Sequence, residues 1–233
     1  MGMVSRIALT GAGIVAIGAL GWFGGKPAVE SIVHDYILEH PEILPQAMEN
    51  LQQRQASAQL ADVRQSVETP FPGAVLGNPE GTRTLVEFSD FACGYCRQSL
   101  PDVKQLIARN PDLRIVVREL PVISPSSPDA AKMALAAAEQ GKYEAFHDAM
   151  YAAGQVDPET IEAVAKKVGL DMDRAREVAA SPTVEEEIRR NLQMANRLGF
   201  TGTPSWVAGE ELISGAVGMD RLAGALGLDG AKS

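Results

Sequence analysis

Cys93 and Cys96 are the only cysteines in a chain of 233 residues, and just two residues, Gly94 and Tyr95, separate them. Two thiols one helical turn apart can close a disulfide and reopen it by exchange with another thiol. The pair therefore reads as a redox centre. A Cys-x-x-Cys pair can also be half of a zinc or copper site. The other half is missing, because no further cysteine exists and His34, His40 and His147 are scattered along the chain. No metal ligand set and no cofactor is expected.

The flanking residues say how the pair is held. Thr84-Leu85-Val86-Glu87-Phe88 is short and apolar, as a buried strand is, and Leu100, Val103, Leu106 and Ile107 recur at helical spacing. Cys93 then stands where a strand ends and a helix begins. Free backbone N–H groups and the helix dipole stabilise an anion there, so the Cys93 thiol is expected to ionise below the roughly 8.5 of a free thiol. Pro101 is expected to kink the helix. Alternation puts Glu87 on the face opposite Val86 and Phe88, which by itself is compatible with a carboxylate facing solvent. Residues 113–120 form the next strand, with one face made partly polar by Arg114 and Arg118.

From Pro128 the pattern turns helical. Five helices are expected at about 129–140, 142–152, 159–168, 171–180 and 183–198, with Ser127-Pro128 and Asp157-Pro158 as cap-plus-proline starts. Residues 205–208 and 212–214 read as a hairpin across Gly209-Glu210, and 219–226 as a closing helix.

The amino-terminal part is organised differently. Residues 7–25 carry no charge and are bounded by Arg6 and Lys26. As a helix they would reach roughly 28 Å, near the thickness of a bilayer core. Residues 1–26 thus read as a signal peptide or a membrane anchor, and both put the remainder outside the cytoplasm, where disulfides persist. Residues 27–68 read as a helical stalk interrupted at His40-Pro41. The stripe Leu44, Met48 and Leu51 fades into Gln55, Ala58 and Asp62, which suits either a spacer or an oligomerisation segment. Thr69-Pro70-Phe71-Pro72-Gly73 closes the stalk and opens a domain over 69–228. The net charge of −9 excludes nucleic acid as a partner, since phosphate binding needs a basic face.

Two motifs in this order carry a resemblance: Glu87-Phe88-Ser89-Asp90-Phe91-Ala92-Cys93-Gly94-Tyr95-Cys96 and Gly202-Thr203-Pro204-Ser205-Trp206-Val207. Over about 75–226 the chain resembles the DsbA-like thiol–disulfide oxidoreductases, a family of the thioredoxin superfamily. The resemblance implies an α/β thioredoxin fold with an all-helical insertion at about 127–198. It implies a cis peptide bond at Thr203-Pro204, beside the cysteines, where the Thr203 backbone can pair with an extended substrate chain. It also implies that Glu87 is a buried carboxylate carrying the proton of Cys96. Arg114 or Arg118, on the neighbouring strand, is its expected charge partner. Gly94-Tyr95 between the cysteines, with Thr203 before the proline, looks like the disulfide isomerases of the DsbC type, and residues 35–42 resemble the amino-terminal helix of ScsC-like proteins. Oxidase and oligomeric isomerase therefore both stay open. The expected partners are unfolded or cysteine-containing envelope proteins, a membrane redox partner that resets the pair, and further copies of the chain through residues 27–68.

Overall fold

The strand Arg83–Ser89 is apolar enough to be buried on both faces, and it becomes the middle of a sheet. The computed structural model describes residues 30–228; the signal or anchor expected at 1–26 lies outside them. Among the described residues, no helix is long and apolar enough to cross a membrane.

The contacts divide the chain into a unit ending at Gln52 and another beginning at Gln53. In the first, α1 covers residues 30–39 and α2, Ile43–Ala61, begins after His40-Pro41. Most of its large apolar side chains are exposed: Ile32, Val33, Tyr36, Leu38, Leu44, Met48 and Leu51. In the second unit the end of α2 and the short α3, Arg64–Glu68, put Leu60, Val63 and Val67 into a core.

The strands are β1 (Val75–Gly77), β2 (Arg83–Ser89), β3 (Leu113–Glu119), β4 (Ser205–Ala208) and β5 (Glu211–Ser214). They form one sheet in the order β1-β3-β2-β4-β5. Only β2 and β3 run parallel, and the connection between them is α4, Gly94–Arg109. The register sorts β2 residues by parity. Val86 and Phe88 pack with Leu60, Val67, Val116, Met194, Leu198 and Phe200 on one face. Leu85, Cys93, Cys96, Ile115, Val117 and Trp206 share the other with the helical block.

That block is α5 (Ser127–Glu139), α6 (Tyr143–Ala153), α7 (Pro158–Lys167), α8 (Met172–Ala179) and α9 (Pro182–Arg197), and α10 (Met219–Ala225) closes the chain. Asp157 caps α7 as expected, accepting from the Thr160 amide at 2.9 Å. The other cap-plus-proline reading is corrected. Ser127 lies inside α5, and its hydroxyl donates to Asp90 at 2.7 Å instead of capping the helix. At the end of α6, Gly154 turns the backbone left-handed (φ 82°), and its carbonyl accepts from Arg97 of α4 at 2.9 Å.

Candidate active site

Cys93 is the N-cap of α4, with extended backbone (φ −80°, ψ 117°). Its sulfur accepts the Cys96 amide at 3.5 Å, one of the orphan donors at the start of the helix. On its other side the thiol donates to the Thr203 carbonyl at 3.2 Å. The Thr203-Pro204 bond is cis, as the motif implied. Both cysteines are free thiols. Cys93 keeps a sliver of exposure while Cys96 has none, and Gly94 and Tyr95 project into solvent above them. An incoming sulfur therefore meets Cys93 first.

The loop from β2 to α4 is pinned by Asp90, which the sequence motif contains but which no spacing argument singled out. Its Oδ1 accepts from the Ala92 amide (2.9 Å) and the Ser127 hydroxyl (2.7 Å). Its Oδ2 accepts from the amides of Val122 and Ile123, both at 2.8 Å. Its own carbonyl accepts from the Cys93 amide (2.9 Å) and the Tyr151 hydroxyl (3.1 Å). One buried carboxylate thus ties the cysteine loop to the loop after β3 and to the first helix of the block. Val122 and Ile123 are left exposed there.

Beneath the cysteines the site is acidic and buried. Glu87 is 1 % exposed, so the solvent-facing alternative does not hold. Burial pushes its carboxyl up to about 7, opposed in part by the hydrogen bond from Ser89. The expected arginine partner is a correction. Arg114 and Arg118 pair in register with Thr84 and Phe88, on the face away from Glu87. Arg114 donates to the Thr84 hydroxyl. Arg118 is bound to Glu187 at 2.6 Å and to the carbonyls of Ser66, Val67 and Thr69. Burial also raises the Cys96 thiol, and the charge of Glu87 adds to that. A further buried carboxyl, that of Glu119, is raised mainly by burial and accepts from the Tyr143 hydroxyl at 2.7 Å.

Three more residues from α6 reach this region. Tyr143, His147 and Tyr151 recur every fourth position, the spacing of one helix face. Tyr151 binds the Ser89 hydroxyl at 2.7 Å. The His147 ring is buried against Phe91, Tyr143 and Tyr151, at centroid distances of 5.9, 5.9 and 5.0 Å.

Comparison with known proteins agrees with this fold. Residues 84–227 match the DSBA-like thioredoxin domain, and residues 26–58 match the copper resistance protein ScsC N-terminal domain. A thioredoxin-like oxidoreductase from Silicibacter pomeroyi DSS-3 is 40 % identical, with a TM-score of 0.62 over 66 % of this chain and 89 % of that one. BcfH from Salmonella enterica Typhimurium is 26 % identical, with a TM-score of 0.64 over 92 % and 98 %. A curated relative, the Na(+)/H(+) antiporter NhaA 3 of Salinispora tropica, is 32 % identical over 155 residues, 65 % of this chain. The match covers only 24 % of that antiporter's length.

Proposed function

The chain belongs to the DSBA-like thioredoxin domain family, and from that premise we infer that it forms or exchanges disulfides in secreted or envelope proteins through Cys93 and Cys96. The observation that carries this reading is the Cys93 sulfur. It sits at the N-terminus of α4 between the Cys96 amide and the Thr203 carbonyl, with the rest of the pair buried beneath it. A substrate sulfur joins Cys93 in a mixed disulfide, which either Cys96 or a second substrate thiol resolves. The Thr203 backbone offers main-chain pairing to an extended polypeptide, so recognition needs little side-chain selectivity. Glu87 serves as the proton carrier for Cys96. A membrane redox partner resets the pair, and the protein works outside the cytoplasm, exported or anchored by residues 1–26.

A second reading, oligomeric disulfide isomerase, is favoured by one observation: the exposed apolar side chains of α1 and of α2 up to Leu51. Residues 27–68 would then join copies of the chain, holding several Cys93 sites around one misfolded substrate. Parallel assays on reduced and on scrambled ribonuclease test both readings. The oxidised protein is expected to restore activity to reduced ribonuclease. Rescue of scrambled ribonuclease, lost together with the oligomer in an Ile32→Asp/Leu38→Asp double variant, would favour the isomerase. Inactivity in both assays would overturn the redox reading.

A further inference from the structure

Asp90 stands three residues before Cys93, and its four side-chain contacts all come from donors: the amides of Ala92, Val122 and Ile123 and the Ser127 hydroxyl. Three of these are backbone N–H groups, which can only donate. Both oxygens therefore act as acceptors, as those of a carboxylate do. The residue is 2 % exposed, so a donor that loses it is left unpaired in a buried place. Two further bonds define the chain leading into the cysteine. The Asp90 carbonyl accepts the Cys93 amide at 2.9 Å and closes a four-residue turn, Asp90-Phe91-Ala92-Cys93. Inside that turn Oδ1 accepts the Ala92 amide at 2.9 Å, the bond of an Asx turn. The turn ends at Cys93, the N-cap of α4, while Cys96 lies within α4 itself. The two sulfurs thus have different supports: Cys96 is carried by the helix, and Cys93 by the joint between helix and turn. The Phe91 ring of the turn packs on Phe146, His147 and Tyr151 of α6, and the Asp90 side chain holds the turn to the loop after β3 and to α5.

We propose that Asp90 is a positioning residue for the second step of thiol exchange: its carboxylate fixes the turn that aims the Cys93 sulfur at that of Cys96. This rests on the oxidoreductase reading above. In that step the Cys96 sulfur bonds to the Cys93 sulfur of the mixed disulfide, and the bond from Cys93 to the substrate sulfur breaks. The electron pair of the broken bond leaves on the substrate sulfur. The proton that Cys96 gives up is matched by the one that the released substrate thiol gains. Over both steps the protein pair is oxidised by two electrons and the substrate disulfide is reduced. Displacement at sulfur needs the attacking, central and leaving sulfurs close to one line, so this intramolecular step depends on how Cys93 is turned. Formation of the mixed disulfide asks less, because an incoming disulfide can choose its approach to the exposed side of Cys93.

Asparagine at this position separates the turn from the rest of the network. It has the outline of aspartate but only one oxygen, and an NH2 group in place of the other. Turned one way, the NH2 group faces the amides of Val122 and Ile123, two donors that cannot yield. Turned the other way, it faces the Ala92 amide and the Ser127 hydroxyl, and a hydroxyl can rotate to accept. The second orientation costs less. Asp90→Asn therefore keeps its hold on the loop after β3 and gives up the Ala92 bond, inside the turn that carries Cys93.

Rapid-quench mass analysis of the full chain with a cysteine-containing peptide disulfide separates formation of the Cys93 adduct from its resolution by Cys96. In Asp90→Asn, resolution is expected to slow about tenfold, while adduct formation changes by less than about twofold. Ser127→Ala removes one of the two donors on Oδ1 and is expected to slow resolution about threefold. Asp157→Ala, which loses the cap of α7, is the control: it weakens the fold and leaves both rates at their wild-type values. Wild-type resolution in Asp90→Asn would overturn the proposal. So would an equal slowing of both steps, the mark of a loosened fold. Should that variant not fold, an unchanged resolution rate in Ser127→Ala overturns it instead. A wild-type protein that forms no adduct at all would sink the redox reading itself, a distinguishable result.

Discussion

Replacing Glu87 by Gln removes a pH-dependent weakness that the fold builds into itself. Burial lifts this carboxyl from an ordinary 4.5 to about 7. A carboxyl raised in the fold takes up its proton more readily there than in the unfolded chain. Its contribution to stability is therefore fully present below about pH 4.5, and it is lost as pH rises towards 7. At about 1.36 kcal/mol per pH unit between the two values, the loss sums to ~3 kcal/mol above neutrality. Gln stays neutral throughout, so Glu87→Gln keeps what the wild type loses. Urea unfolding of the reduced protein at pH 4.5, 6, 7 and 8.5 reads this directly. Any fixed cost of the Gln amide shifts its curve equally at every pH. Glu119, also raised by burial, titrates in both proteins. The gap between the two stabilities is expected to widen in favour of Glu87→Gln by ~3 kcal/mol from pH 4.5 to 8.5. Parallel curves would refute the reasoning and mean that Glu87 ionises in the fold as it does in water.

Two further outcomes follow from packing on either face of the sheet. Arg118→Ala strands Glu187 and the carbonyls of Ser66, Val67 and Thr69; a loss of about 3–5 kcal/mol in urea unfolding is expected, and a loss under ~1 kcal/mol would mean that water replaces the guanidinium. Gly73 and Gly154 share a left-handed backbone (φ 83° and 82°), but a Cβ at Gly73 would lie 2.5 Å from the Ala138 carbonyl oxygen while one at Gly154 meets open space. Gly154→Ala should cost about 1 kcal/mol, and Gly73→Ala clearly more by the same unfolding assay; equal losses would count against the close contact.

The redox pair, the strand before it and the helix after it were legible because each is a local pattern. The five helices of the block were legible for the same reason, through Asp157-Pro158 and the glycines that end them. The cis Thr203-Pro204 bond followed from the motif, not from any local rule. What sequence could not supply was register. Arg114, Arg118 and Glu87 all lie on adjacent strands, yet whether they meet depends on which residue of β3 stands beside Glu87. That residue is Val117, so both arginines fall on the far face. The polar groups around the cysteines were missed because they come from four separate elements: Asp90 and Ser89 with β2, Glu119 on β3, Ser127 on α5, Tyr151 on α6. One signal was available. Tyr143, His147 and Tyr151 form a stripe at every fourth position, and three polar rings on one face of a helix need buried company.

The central claim is that Cys93 alone meets the substrate and Cys96 acts only on Cys93. Intact-mass measurement of Cys96→Ser and Cys93→Ser, each reduced and mixed with a cysteine-containing peptide disulfide, tests it most directly. Cys96→Ser is expected to accumulate one peptide per chain on Cys93 when the peptide disulfide is in excess, because the chain's own resolving thiol is gone. Cys93→Ser is expected to remain unmodified over the same time, because Cys96 has no exposed surface. Equal labelling of the two variants would contradict the account.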